Sequence, residues 1–151
     1  MSKGTVLMCA GASGGHVFPA IAVAEELRAK GYEGGFVLGG GKCGHGVAAR
    51  GFKLEYLPAA AFANRGPVAL MKACGMLALG LWRAWGLVGQ YKPVAAFGTG
   101  GYATVATLLA AKARGVPTVI HNADTILGRA NRVLAGWVDK VLVTFEQTQV
   151  P

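Results

Sequence analysis

The chain has 151 residues, 53% hydrophobic and only 15% charged, which excludes a disordered tail and supplies the core of one ordinary domain. Glycine stands out, with 24 residues and no Gly-X-Y period, so collagen is excluded and tight strand-to-helix turns close to a ligand are expected. The formal charge of +8 is concentrated in the middle: no acidic residue lies between Glu55 and Asp124, while Arg65, Lys72, Arg83, Lys92, Lys112 and Arg114 do, which points to anionic lipid, nucleic acid or phosphorylated partners, or else to scattered charges that keep an apolar protein soluble.

Residues 5–10 are expected as a buried first strand that runs into Gly11-Ala12-Ser13-Gly14-Gly15. Residues 16–30 read as a helix with Val17, Ile21, Ala24 and Leu27 on one face, Pro19 in its first turn and Gly31 as its stop. A second strand over 35–38 leads into three glycines and a short helix over 47–50; a third strand covers 52–57. Residues 58–66 are expected as a loop. Pro67 then opens a long helix to about Gln90, apolar most of the way round and therefore either buried or against a membrane. A fourth strand over 93–97 ends in Gly98-Thr99-Gly100-Gly101-Tyr102 and a helix over 103–113. A fifth strand over 117–120, a loop over 121–125, a helix to about Ala135 and a sixth strand over 139–144 complete the pattern. Near-continuous apolar strands alternating with helices predict an α/β fold, a doubly wound, Rossmann-like parallel sheet spanning 1–151 as one domain.

Cys9, Cys43 and Cys74 are far apart, with no CxxC pair or metal-ligand spacing, which suggests reduced thiols. The apolar run 6–10 is too short for a signal peptide. Within the apolar segment 68–88 the longest uncharged stretch is 73–82, too short to cross about 30 Å of hydrocarbon, so no transmembrane span is expected.

Ligands of such sheets bind at the carboxyl ends of the strands, where three loops are unusual. In the first, Gly14 and Gly15 let backbone N–H groups at a helix start approach an anion, and Ser13 caps the helix or donates to a phosphate oxygen. The spacing is neither G-x-G-x-x-G nor a P-loop. His16, at the loop-to-helix junction, is a candidate general base toward an attacking hydroxyl, its pKa lowered by the positive helix end, or else a capping histidine. Gly100, Gly101 and Tyr102 form a second loop of the same kind, with Thr104 one turn on as a further donor; tight turns needing positive φ are the alternative. In the third loop, Asp124 is the one carboxylate near these segments: it accepts from a hydroxyl-rich ligand, orients His16, acts as base itself, or caps a helix from Ile126 onward. His45 reads as a surface histidine.

The succession GASGGHVFP at 11–19, GTGGY at 98–102 and HNAD at 121–124 resembles the N-terminal domain of the MurG-like glycosyltransferases, glycosyltransferase family 28, over nearly the whole chain. The resemblance implies the N-terminal, acceptor-binding half of a two-domain GT-B fold, with a C-terminal donor-binding domain outside this chain, supplied in cis or in trans. It implies transfer of N-acetylglucosamine from UDP-GlcNAc, the donor substrate, to a polyprenyl-diphosphate-linked muramyl-pentapeptide (lipid I) in peptidoglycan synthesis. On this resemblance His16 matches the family's essential histidine and is the candidate catalytic base; the reading of the residues adds Asp124, acting through it. Ser13, Gly14, Gly15, Gly100, Gly101, Tyr102, Thr104 and Asn122 border the substrates. An apolar patch edged with basic residues over 67–83 rests on the anionic inner leaflet, at the cytoplasmic face of the membrane. The sequence departs from the family's usual GGTGGH and HEQN: Ala12 and Ser13 stand for glycine and threonine, Asn122 for a glutamate and Asp124 for an asparagine. With no DxD cluster, no metal and no cofactor are expected, and with no basic-aromatic motif, no nucleic acid. The isolated domain is expected to be inactive. A non-catalytic acceptor-binding subunit of a split transferase and a plain nucleotide-binding Rossmann domain are the alternatives.

Overall fold

The computed structural model describes residues 1–58 and 66–151. The expected loop over 58–66 therefore lies largely outside the described residues.

Six strands, β1 (Thr5–Ala10), β2 (Glu33–Leu38), β3 (Lys53–Tyr56), β4 (Ala95–Gly98), β5 (Thr118–Asn122) and β6 (Lys140–Val143), form one sheet in the order β3-β2-β1-β4-β5-β6. Every neighbouring pair is parallel. The order reverses between β1 and β4, the point where a Rossmann-type sheet opens a crevice.

Side chains of β1 alternate between two cores, as the pleat requires. Val6, Met8 and Ala10 pack with Val17, Ile21 and Ala24 of α1 (Gly14–Ala29) and with Val47 of α2 (Gly44–Ala49). Leu7 and Cys9 pack on the other side with Ala84 and Val88 of α3 (Pro67–Tyr91), Leu108 of α4 (Tyr102–Ala113) and Leu134 of α5 (Arg129–Leu134). Burial pushes the Cys9 thiol up to about 12, so it stays a neutral core group.

Two expectations need correction, and one pair of alternatives narrows. Helix α1 starts at Gly14, so Pro19 is its sixth residue and not in the first turn; the proline has no N–H to give the Gly15 carbonyl. The fifth strand continues through His121 and Asn122, expected as loop, and the next helix begins only at Arg129. Asp124 therefore caps no helix at Ile126. Helix α3 is not buried: Ala73, Gly80, Ala84 and Val88 face the protein, while Val68, Met71 and Trp82 are 79%, 74% and 71% exposed. It is the one helix among the described residues long and apolar enough to cross a membrane, but its buried stripe packs on α4.

Candidate active site

A cleft of about 440 Å³ opens at the carboxyl ends of β1, β4 and β5. Ser13, Gly15 and His16 line it from the first loop, Gly100, Gly101 and Tyr102 from the second, and Asn122 and Asp124 from the third. Three segments distant in sequence thus meet at the switch point of the sheet.

The first two loops interlock through backbone. Gly101 has φ +88° and ψ 162°, a conformation open essentially to glycine alone. A Cβ there would lie 2.8 Å from the Gly11 nitrogen and still closer to its Cα. Thr99, buried at the end of β4, donates from Oγ1 to the His16 carbonyl at 2.6 Å and fixes the first turn of α1 against β4.

The His16 ring fits into the gap that two glycines leave. A Cβ on Gly11 would come within 3.0 Å of Nδ1, and one on Gly100 within 2.9 Å of Nε2. Ser13 Oγ pairs with Nδ1 at 2.8 Å, so it orients the imidazole and makes no side-chain cap on α1. In the tautomer whose Nδ1–H donates to Ser13 Oγ, the Nε2 lone pair is left toward Gly100 and the cleft. Burial holds the His16 pKa below 6.5, and the Asp124 charge partly opposes that shift. The imidazole is therefore neutral at pH 7, as a base must be. The expected pKa lowering is present, with burial as its main cause.

The third loop is built from side chains. Asn122 is buried; its amide donates to the carbonyls of Asp124 at 2.7 Å and Ile126 at 3.2 Å, and its Oδ1 accepts from the Gly128 N–H at 3.2 Å. Oδ1 also accepts from Asn131 Nδ2 at 3.1 Å. Asn122 thus staples 123–128 and has its hydrogen-bonding groups engaged by its own loop, a correction to its expected place as a substrate ligand. Thr104 is corrected likewise: it is fully buried, and its hydroxyl donates to the Gly100 carbonyl at 2.7 Å. Gly14 is not among the residues lining the cleft; a Cβ there would meet the Phe18 ring at 3.0 Å. His121 stacks on Phe97 and pairs with Thr144 Oγ1 at 3.0 Å.

Sequence reasoning missed Thr99, Arg129 and Asn131, all on the wall of the cleft. Arg129 is an exposed cation at its rim. Asn131 carried a readable signal: it shares the buried face of α5 with Ala130 and Leu134, where an apolar residue is the norm.

The model of the glycosyltransferase family 28 N-terminal domain matches residues 6–143. A protein of Allorhizobium ampelinum named UDP-N-acetylglucosamine–N-acetylmuramyl-(pentapeptide) pyrophosphoryl-undecaprenol N-acetylglucosamine transferase is 42% identical over 135 residues, 89% of this chain and 36% of that protein. Its namesake in Paramagnetospirillum magneticum is 36% identical over 145 residues, 96% of this chain and 39% of that protein. The chain thus spans well under half the length of these relatives. Among solved structures, MurG of Acinetobacter baumannii superposes with a TM-score of 0.83 at 25% identity, covering 98% of this chain and 43% of that one. UDP-GlcNAc 2-epimerase of Methanocaldococcus jannaschii shares the fold alone, with a TM-score of 0.71 at 8% identity over 95% of this chain and 40% of that one.

Proposed function

The chain belongs to glycosyltransferase family 28 as its N-terminal domain, and from that premise we propose that it is the acceptor-binding half of an enzyme that moves N-acetylglucosamine from UDP-GlcNAc to N-acetylmuramyl-pentapeptide pyrophosphoryl-undecaprenol. The observation that carries this reading is the neutral His16, wedged between two glycine loops at the sheet's switch point with Nδ1 engaged by Ser13.

In the proposed reaction an acceptor hydroxyl oxygen attacks the anomeric carbon of the donor sugar. The new C–O bond forms as the bond to UDP breaks, and UDP leaves with the electron pair. His16 Nε2 takes the hydroxyl proton. The acceptor's pyrophosphate lies against the first N–H groups of α1 and α4, where the helix ends are positive, with Arg129 at the rim. A second domain, in cis or in trans, supplies the donor site, and the reading invokes no resident metal or cofactor. The exposed face of α3, Val68, Leu70, Met71, Leu79 and Trp82 with Lys72 and Arg83 beside them, rests on the anionic cytoplasmic leaflet and brings the cleft to its lipid-linked substrate.

His16→Ala, made in the chain joined to its second domain, tests the base. The expected loss in kcat is roughly 10²–10⁴-fold with the melting temperature little changed. Undiminished turnover would overturn the assignment.

A further inference from the structure

Among the described residues, one buried side-chain polar atom lacks a hydrogen-bond partner, Oδ1 of Asn131, and its residue is one of those lining the cleft. The residue is 2% exposed. Its orientation is fixed, because Nδ2 donates to the His121 carbonyl at 3.2 Å and to Asn122 Oδ1 at 3.1 Å, which leaves the carbonyl as the group turned elsewhere. Oδ1 lies 3.6 Å from the spot a Cβ on Gly100 would fill, and His16 Nε2 lies 2.9 Å from the same spot. The unpartnered acceptor and the candidate base therefore flank one position, the one a side chain on Gly100 would fill.

An amide carbonyl only accepts hydrogen bonds, and a pyrophosphate oxygen ionised at pH 7 offers none. The anion is thus a poor occupant beside Asn131, whereas a sugar hydroxyl fits. We propose that Asn131 Oδ1 accepts a hydrogen bond from a hydroxyl of the acceptor sugar next to the one His16 deprotonates. The contact orients the ring so that the pyrophosphate falls on the helix starts and the nucleophile on Nε2. This inference rests on the acceptor reading given above and adds a residue that recognises the sugar itself. An N-acetylmuramyl ring linked through C1 to pyrophosphate and through O3 to peptide keeps two free hydroxyls, at C4 and C6. One is the nucleophile and the other is left for Asn131.

The test pairs enzyme and substrate deletions in the two-domain enzyme, with UDP-GlcNAc and a short-prenyl-diphosphate N-acetylmuramyl-pentapeptide, its 4-deoxy form and its 6-deoxy form. The deoxy acceptor that lacks the nucleophile does not react. The other should lose roughly tenfold or more in kcat/KM with the unaltered enzyme, because a buried acceptor is left unpaired. In Asn131→Ala and Asn131→Ser the native acceptor should fall by a similar factor, and the deoxy penalty should shrink to less than about twofold. Melting temperatures identify a variant that has merely unfolded, and the second substitution covers that case. A deoxy penalty that persists in folded variants, or that is missing from the unaltered enzyme, overturns the contact. Failure of the unaltered enzyme to glycosylate the native acceptor removes the acceptor reading on which the contact rests.

Discussion

The loops after β1 and β4 and the loop after β5 shape the same cleft by opposite means. The first two bring backbone against backbone, Gly101 against Gly11, and leave a slot for the His16 ring. The third holds its course through amide side chains, with Asn122 closing 123–128 and Asn131 bonded to it. A glycine-built wall fails when atoms are added to it, and an asparagine-built wall fails when atoms are removed. In the proposed reaction the two walls also divide the chemistry: the glycine side would offer N–H groups to an anion, and the asparagine side a carbonyl to a hydroxyl donor.

That division predicts where the largest damage falls. In Gly101→Ala the new Cβ strikes Gly11 backbone in a conformation that L-residues avoid. The expected cost is roughly 3–5 kcal/mol, read as a fall in thermal unfolding temperature, with the His16 ring displaced in its NMR spectrum. Asn122→Ala ranks second. It strips the partners from two carbonyls, from the Gly128 N–H and from Asn131 Nδ2. We expect a loss of about 2–3 kcal/mol in the same melt, with the His16–Ser13 pairing and the His16 titration little changed. If Asn122→Ala shifts the His16 signals as far as Gly101→Ala does, the two walls are not independent.

Much of the architecture was legible because parallel-sheet strands are short apolar runs closed by glycine, as in residues 5–10 before Gly11. The meeting of His16 with the second loop followed from strand ends sharing one edge. The third loop was misread for a physical reason. Asn122 and Asp124 are turn-forming residue types, yet tertiary context keeps His121 and Asn122 in β5: His121 lies on Phe97 and beside Thr144, and Asn122 turns inward to bind its own loop. Local composition carries no record of those partners. Asn131 was different, because a polar residue on the apolar face of a helix was visible in the pattern. Helix α3 could be read either way until its small residues, Ala73, Gly80 and Ala84, were seen facing the protein with the large apolar ones outward.

The smallest expected effect separates the roles left open for Asp124. Its carboxylate is exposed on the rim of the cleft and raises the His16 pKa against the lowering by burial. Asp124→Asn removes the charge that favours the imidazolium, so the His16 pKa should move further down. If His16 is the base, acting as neutral imidazole, the acidic limb of kcat/KM against pH should shift to lower pH in the two-domain enzyme, with the plateau at pH 7 retained. The displacement should shrink as salt is added, because the pair interacts across solvent. If Asp124 were the base itself, the same substitution would abolish turnover at every pH and leave no limb to displace. A pH profile of Asp124→Asn at two ionic strengths therefore tells whether the rim carboxylate tunes the histidine between the glycine loops or takes the proton in its place.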